Sequence, residues 1–265
     1  MQNQNQTQNQ NQSEPRAAGA GLSQQPGGDD SRGARLDIGQ SRTAETRRIA
    51  LIHALAHSPG PVQLEFERQW PECRLMNLLD DSLSADLADA GGLDDAMYRR
   101  FQTLADYCVD TGADAILFTC SAFGPCIEAV AKRHSNIPVL KPNEAMIAEA
   151  ARLGTRIGLI ASFPPTLRTM PKEFPAGVEL DCELAEGALA ALDDGAGTEH
   201  DQLVVAAAQR LQARGCGAIA LSQFSMARAA EAVAAAVPLP VLTTVGSAVA
   251  ELRARLLRQP TSRSG

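Results

Sequence analysis

Cys120 is the residue of this 265-residue chain best placed to do chemistry. It follows the apolar run 115–119 (AILFT) and precedes Ser121-Ala122-Phe123-Gly124, a short turn into a helical pattern that begins near Pro125. Proline suits the first position of a helix. A thiol at such a junction lies near unpaired N–H groups and the positive end of the helix dipole, so its expected pKa is lowered and its thiolate fraction raised. The same N–H groups can hold a carboxylate or enolate oxygen. Thr119 and Ser121 flank the thiol with hydroxyls. The other five cysteines (Cys73, Cys108, Cys126, Cys182, Cys216) lack redox or metal-ligand spacing and read as small apolar residues, Cys126 inside a helix and Cys216 at the start of a strand.

Residues just after other apolar runs form the rest of the candidate set. His53 follows the first run and reads either as a substrate-orienting or acid/base group or as a solvated loop histidine. Lys141 follows a later run as a carboxylate partner or a rim charge. In the second half of the chain the corresponding places hold Ser162 and Thr166, then Ser222-Gln223-Phe224-Ser225, then Thr243-Thr244. Their hydroxyls suit substrate binding or helix capping. Asp80-Asp81 and Asp193-Asp194 sit among loop residues and read as solvated turns. The chain has no phosphate loop and no GxGxxG turn, and neither a cofactor nor a metal is expected.

What positions these residues is an alternation of short apolar runs with longer helical patterns. The runs are 49–52, 74–79, 115–119, 138–140, 157–161, 178–184, 218–222 and 240–243. Helical patterns fall at 93–111, 125–134, 143–153, 201–214 and 226–236. Strands alternating with helices predict βαβ units and a parallel sheet. An internal repeat sharpens this. Arg48-Ile49-Ala50-Leu51-Ile52 matches Arg156-Ile157-Gly158-Leu159-Ile160, Gly112-Ala113-Asp114-Ala115-Ile116 matches Gly215-Cys216-Gly217-Ala218-Ile219, and Pro138-Val139-Leu140 matches Pro240-Val241-Leu242. Glu128-Ala129-Val130 and Glu231-Ala232-Val233 keep the same order. The predicted fold is α/β, two pseudo-symmetric halves, each a four-stranded parallel sheet flanked by helices; a single eight-stranded doubly wound sheet is the alternative. Residues 1–46 read as a disordered tail rich in Gln, Asn, Gly and Ser, 47–150 as the first half, 151–244 as the second, and 245–258 as a helix packing on the first. Ligands of open parallel sheets bind beyond the carboxyl ends of the strands, so a cleft between the halves is the expected site.

Composition narrows the partners. A formal net charge of −7 and an aromatic fraction of 4% argue against nucleic acid or an anionic membrane surface. No run is long enough to cross a bilayer, and the Gln/Asn-rich amino terminus is no secretory signal, so a cytoplasmic protein with reduced thiols is expected.

The runs around Cys120 (AILFTCS), at 156–162 (RIGLIAS) and at 218–223 (AIALSQ) resemble the aspartate/glutamate racemase superfamily, which includes hydantoin racemase, maleate isomerase and arylmalonate decarboxylase. The resemblance spans about residues 48–257 and implies two flavodoxin-like domains, a homodimer, a small amino or carboxylic acid substrate, and catalysis without cofactor. Racemases of the group place one cysteine from each half on opposite faces of the substrate carbon. Cys120 matches the first cysteine and Ser121 the polar residue after it; the second falls at Gln223, which cannot titrate. Three reactions follow from that departure: isomerisation by thiolate addition, decarboxylation with one-sided protonation, or racemisation with a different second base. A carboxylate-binding protein without turnover is the alternative to an enzyme.

Overall fold

A computed structural model describes residues 46–56 and 58–258. The tail expected over residues 1–46 lies, but for its last residue, outside them. The chain begins with β1 (Arg48–His53), α1 (Pro59–Gln69), β2 (Arg74–Leu79), α2 (Leu83–Ala90), α3 (Asp95–Asp110), β3 (Ala115–Phe118), α4 (Gly124–Arg133), β4 (Val139–Leu140) and α5 (Glu144–Arg152). It continues with β5 (Ile157–Ala161), α6 (Pro164–Thr169), β6 (Leu180–Leu184), α7 (Ala188–Asp193), α8 (Gly197–Ala213), β7 (Ala218–Leu221), α9 (Ala230–Ala236), β8 (Val241–Thr243) and α10 (Thr244–Arg258).

The strands form two four-stranded sheets, ordered β2-β1-β3-β4 and β6-β5-β7-β8, with every pairing parallel. The internal repeat is thus a repeat of topology, and the single-sheet alternative is excluded. Register repeats as well. Ile49 pairs with Leu75 and Ala115, and its counterpart Ile157 pairs with Leu180 and Ala218.

Both faces of each central strand are buried, which is why these runs are continuously apolar rather than alternating. In the first sheet Ala50, Ile52, Ile116 and Phe118 pack beneath α3 and α4, while Ile49, Leu51, Ala115 and Leu117 face α1 and α10. In α3, Met97, Phe101, Ala105 and Cys108 fall at helical spacing on one buried stripe, and the Asp94 side chain caps the helix by accepting from the Met97 N–H at 2.7 Å. Phe101 lies between Phe118 and Phe123, with ring centroids 5.3 and 4.9 Å away. That stack anchors the turn just after Cys120.

Two helices tie the halves together. α10 contributes Val245, Ala248, Val249 and Leu252 to the first sheet's core. α5 precedes the second half in sequence, yet Met146, Ile147 and Ala150 pack with Ile157, Leu159 and Ala218 of the second sheet. The pattern at 226–236 divides into a 3₁₀ segment, Phe224–Ala229, followed by α9. Its buried Met226 and Ala229 stand three residues apart, the spacing that a 3₁₀ turn stacks on one side. Asp80 is no free loop charge, since its carboxylate pairs with Arg100, whose guanidinium also meets Asp86 and Ser82. Among the described residues no helix is long and apolar enough to cross a membrane.

Candidate functional site

The repeat carries Cys120 and Gln223 to the same place in the two halves. Each lies two residues beyond its strand, β3 or β7, in extended backbone (φ −125°, ψ 120° and φ −131°, ψ 147°), and each precedes a 3₁₀ segment, Ser121–Phe123 or Phe224–Ala229. The residues before them correspond too. The Thr119 N–H donates to the Ile52 carbonyl and the Ser222 N–H to the Ile160 carbonyl, both at 3.0 Å. Cys120 and Gln223 line one cavity of about 460 Å³, with Thr119, Ser121, Ser222 and Ser225 around them. Thr166, at the start of α6, lines it as well.

The polar groups of this cavity are short of partners. Ser222 Oγ and Thr244 Oγ1 are buried with no hydrogen bond among the described residues. A buried hydroxyl without a partner costs roughly 1–3 kcal/mol, so two on one cavity wall mark places for ligand oxygens. Gln223 is oriented without ambiguity. Its Oε1 accepts from the Ser162 N–H at 2.7 Å and from Ser162 Oγ at 3.2 Å, which leaves the Nε2 hydrogens free to donate to a ligand. Ser162 therefore acts on the cavity through Gln223 and is not itself a lining residue.

His53 stands behind the wall. It is the last residue of β1 rather than a loop residue, it is fully buried, and it does not line the cavity. Its Nε2 lies 3.0 Å from Asn77 Oδ1, an acceptor, so Nε2 carries the proton and Nδ1 accepts from the Thr119 hydroxyl at 3.0 Å. Burial lowers its pKa, opposed in part by the Asn77 hydrogen bond. Lys141 also turns away from the cavity and binds Glu128 at 2.8 Å.

The lowered pKa expected of Cys120 does not hold. Burial pushes the thiol up, with the Ala122 N–H pulling the other way. The α-helix begins only at Gly124, and the three-residue 3₁₀ segment between supplies too few aligned peptides to offset desolvation. Cys126, inside α4, is raised to about 11 by burial, with the nearby Asp94 charge acting in the same direction. At neutral pH Cys120 is thus a thiol with a proton to give.

Two lining residues lie outside the candidate set read from the sequence. Asn143 follows β4 as the N-cap of α5, yet it makes no cap bond. Its Nδ2 instead donates to Glu173 Oε2 at 2.8 Å, and both residues line the cavity. Asn143 was findable as a strand-end residue beside Lys141. Glu173 ends a 3₁₀ segment, Met170–Glu173, that folds back after α6, and nothing local in the sequence signals it. A larger cavity, about 660 Å³, lies where α1 and α7 approach, lined by Leu64, Arg68, Leu189 and Leu192. It contains no thiol, and Ser225 borders both cavities. Among the described residues no three His, Cys, Asp or Glu side chains converge to hold a metal ion.

Solved structures share this architecture. Allantoin racemase from Klebsiella pneumoniae aligns with a TM-score of 0.61 at 18% identity, over 83% of this chain and 92% of that one. Arylmalonate decarboxylase aligns with a TM-score of 0.57 at 17% identity, over 82% and 96%. Glutamate racemase from Francisella tularensis subsp. tularensis SCHU S4, in complex with D-glutamate, gives 0.53 at 14% identity, over 82% and 85%. At such identities the likeness concerns the fold. No curated protein matches the sequence. The sequence model of the Asp/Glu/hydantoin racemase family matches residues 88–252, more than half of the chain and both strand ends that carry Cys120 and Gln223. The chain belongs to that family.

Proposed function

We propose that this protein is a cofactor-independent enzyme of the racemase/isomerase type that transfers protons at the α-carbon of a small amino or carboxylic acid, with Cys120 as the proton-transferring thiol. The observation that carries this reading is the company Cys120 keeps. One 460 Å³ cavity joins the thiol to the unpartnered hydroxyls of Ser222 and Thr244 and to Gln223. The volume suits a small ligand. The hydroxyls and the Gln223 amide would hold a carboxylate through neutral donors, and as the α-proton leaves they would stabilise the enediolate oxygen that gains charge. Thr119 and Ser121 extend the donor set, Thr166 and Ser225 close it, and His53 and Ser162 orient Thr119 and Gln223 from behind.

A second reading, decarboxylation with one-sided protonation, is favoured by one fact: the cavity holds a single thiol and burial keeps it protonated. In that reaction carbon dioxide leaves first and Cys120 delivers its proton to the enediolate from one face. The test is a panel of small carboxylic acids in deuterated water, followed for deuterium uptake at the α-carbon and for release of carbon dioxide. Cys120→Ser should reduce turnover by 10²–10⁴-fold, the usual worth of a positioned acid or base, with folding intact. Substrate should also protect Cys120 from alkylation. Wild-type turnover in Cys120→Ser would refute both readings and move the chemistry to another group, whereas no turnover of any acid in the panel would leave a binding protein.

A further inference from the structure

We propose that Glu173 is the second acid/base group of this site, the partner that Gln223 cannot be. The proposal rests on the reading of Cys120 as a proton-transferring thiol. Among the described residues that line the strand-end cavity, only Cys120 and Glu173 can titrate in the working range; the other described ones are hydroxyl, amide and apolar side chains. The two come from opposite halves of the chain. If proton transfer needs two groups, the described lining offers this pair.

The setting of Glu173 is that of a held base. Asn143, almost completely buried, spends its amide on Oε2 and leaves Oε1 free. An N-cap asparagine normally serves its own helix, so its diversion to Glu173 fixes the carboxylate at some expense to α5. The charged groups facing Glu173 are Lys141, which favours its ionised form, and Glu128, which opposes it. Burial raises its pKa and thereby strengthens it as a base, partly offset by the Asn143 bond. An ordinary carboxyl and an ordinary thiol begin about four pH units apart, and both groups here are shifted the same way. In the proposed pair Glu173 is the carboxylate base and Cys120 the thiol acid.

The step balances. Glu173 takes the α-proton, and the C–H electron pair moves into the substrate carboxyl to form an enediolate held by the neutral donors. Cys120 then gives its proton to the opposite face, leaving a thiolate and a protonated Glu173. Exchange with solvent, or the reverse reaction, restores both. Glu173 is exposed to solvent, which suits that exchange.

The experiment uses the full chain and a chiral α-substituted acid that the wild type inverts in deuterated water. Glu173→Gln can still accept from Asn143, so the fold should hold, with a melting temperature close to wild type. The expected result is inversion reduced at least about 100-fold with KM within a few fold, loss of the acid limb of the kcat/KM pH profile, partial rescue by Glu173→Asp, and unchanged protection of Cys120 from alkylation by the acid. If Glu173→Gln misfolds, the wild-type profile and Glu173→Asp still decide: an absent acid limb, or full activity over the whole profile in Glu173→Asp, overturns the assignment. Inversion retained in Glu173→Gln, or a loss confined to KM, overturns the role of Glu173 and leaves Cys120 standing. Release of carbon dioxide in place of inversion overturns the pair, because one acid then suffices. Full turnover in Cys120→Ser overturns the underlying reading as well.

Discussion

Replacing His53 by leucine isolates a buried titratable group whose two neighbours respond differently. Leucine roughly conserves the volume, so the cost lies in hydrogen bonds. Asn77 is exposed and regains a partner in water, whereas Thr119 is buried and falls back on the Ile52 carbonyl at 3.4 Å, too long to replace the bond at 3.0 Å. Near pH 7.5 the loss should therefore be about 1–2 kcal/mol. For a domain of this size that lowers the melting temperature by roughly 2–8 °C. The pH dependence is the sharper signature. The folded-state pKa of His53 lies below its ordinary value of 6.5, so between the two the unfolded chain binds a proton that the native state does not. Wild-type stability is thus full above pH 6.5 and is lost as pH falls toward the folded pKa, by up to about 1.4 kcal/mol per pH unit from this residue. His53→Leu lacks that term. Urea melts of both proteins from pH 7.5 to 5.5 should show the gap between them narrowing as the medium becomes acidic. A gap that is constant or widens would refute the buried, neutral assignment of His53.

Other outcomes can be checked alongside. Gln223→Ala removes the acceptor that holds the buried Ser162 N–H and should cost about 1–3 kcal/mol in urea melts, together with weaker carboxylate binding. Gln223→Cys sets a thiol at the position equivalent to Cys120 and should restore deuterium exchange at the α-carbon in Glu173→Gln, read by mass spectrometry. Gly158→Ala places a methyl group 2.9 Å from Leu211 Cδ1 and 3.1 Å from Ile219 Cδ1, so overpacking should lower stability by roughly 1–3 kcal/mol; its counterpart Ala50 shows that the first half has room where the second does not.

The order of elements was legible because it depends on local pattern. Runs such as 49–52 and 157–161 are apolar throughout since their strands are covered on both faces, and their matched registers follow from matched sequences. The strand-end placement of Cys120, and its equivalence to Gln223, also needed only chain order and the repeat. Properties set by groups distant in sequence were another matter. His53 looks like a loop residue until β2 and β3 bring Asn77 and Thr119 to its two ring nitrogens. The direction of the Cys120 pKa depends on how much water the packed halves exclude, and desolvation outweighs the short 3₁₀ turn that the sequence suggested would favour the thiolate. Glu173 is thirty residues from Asn143 in the chain, with no motif joining them. Only the fold, by bringing the turn after α6 against the end of β4, puts a carboxylate in the same cavity as the thiol.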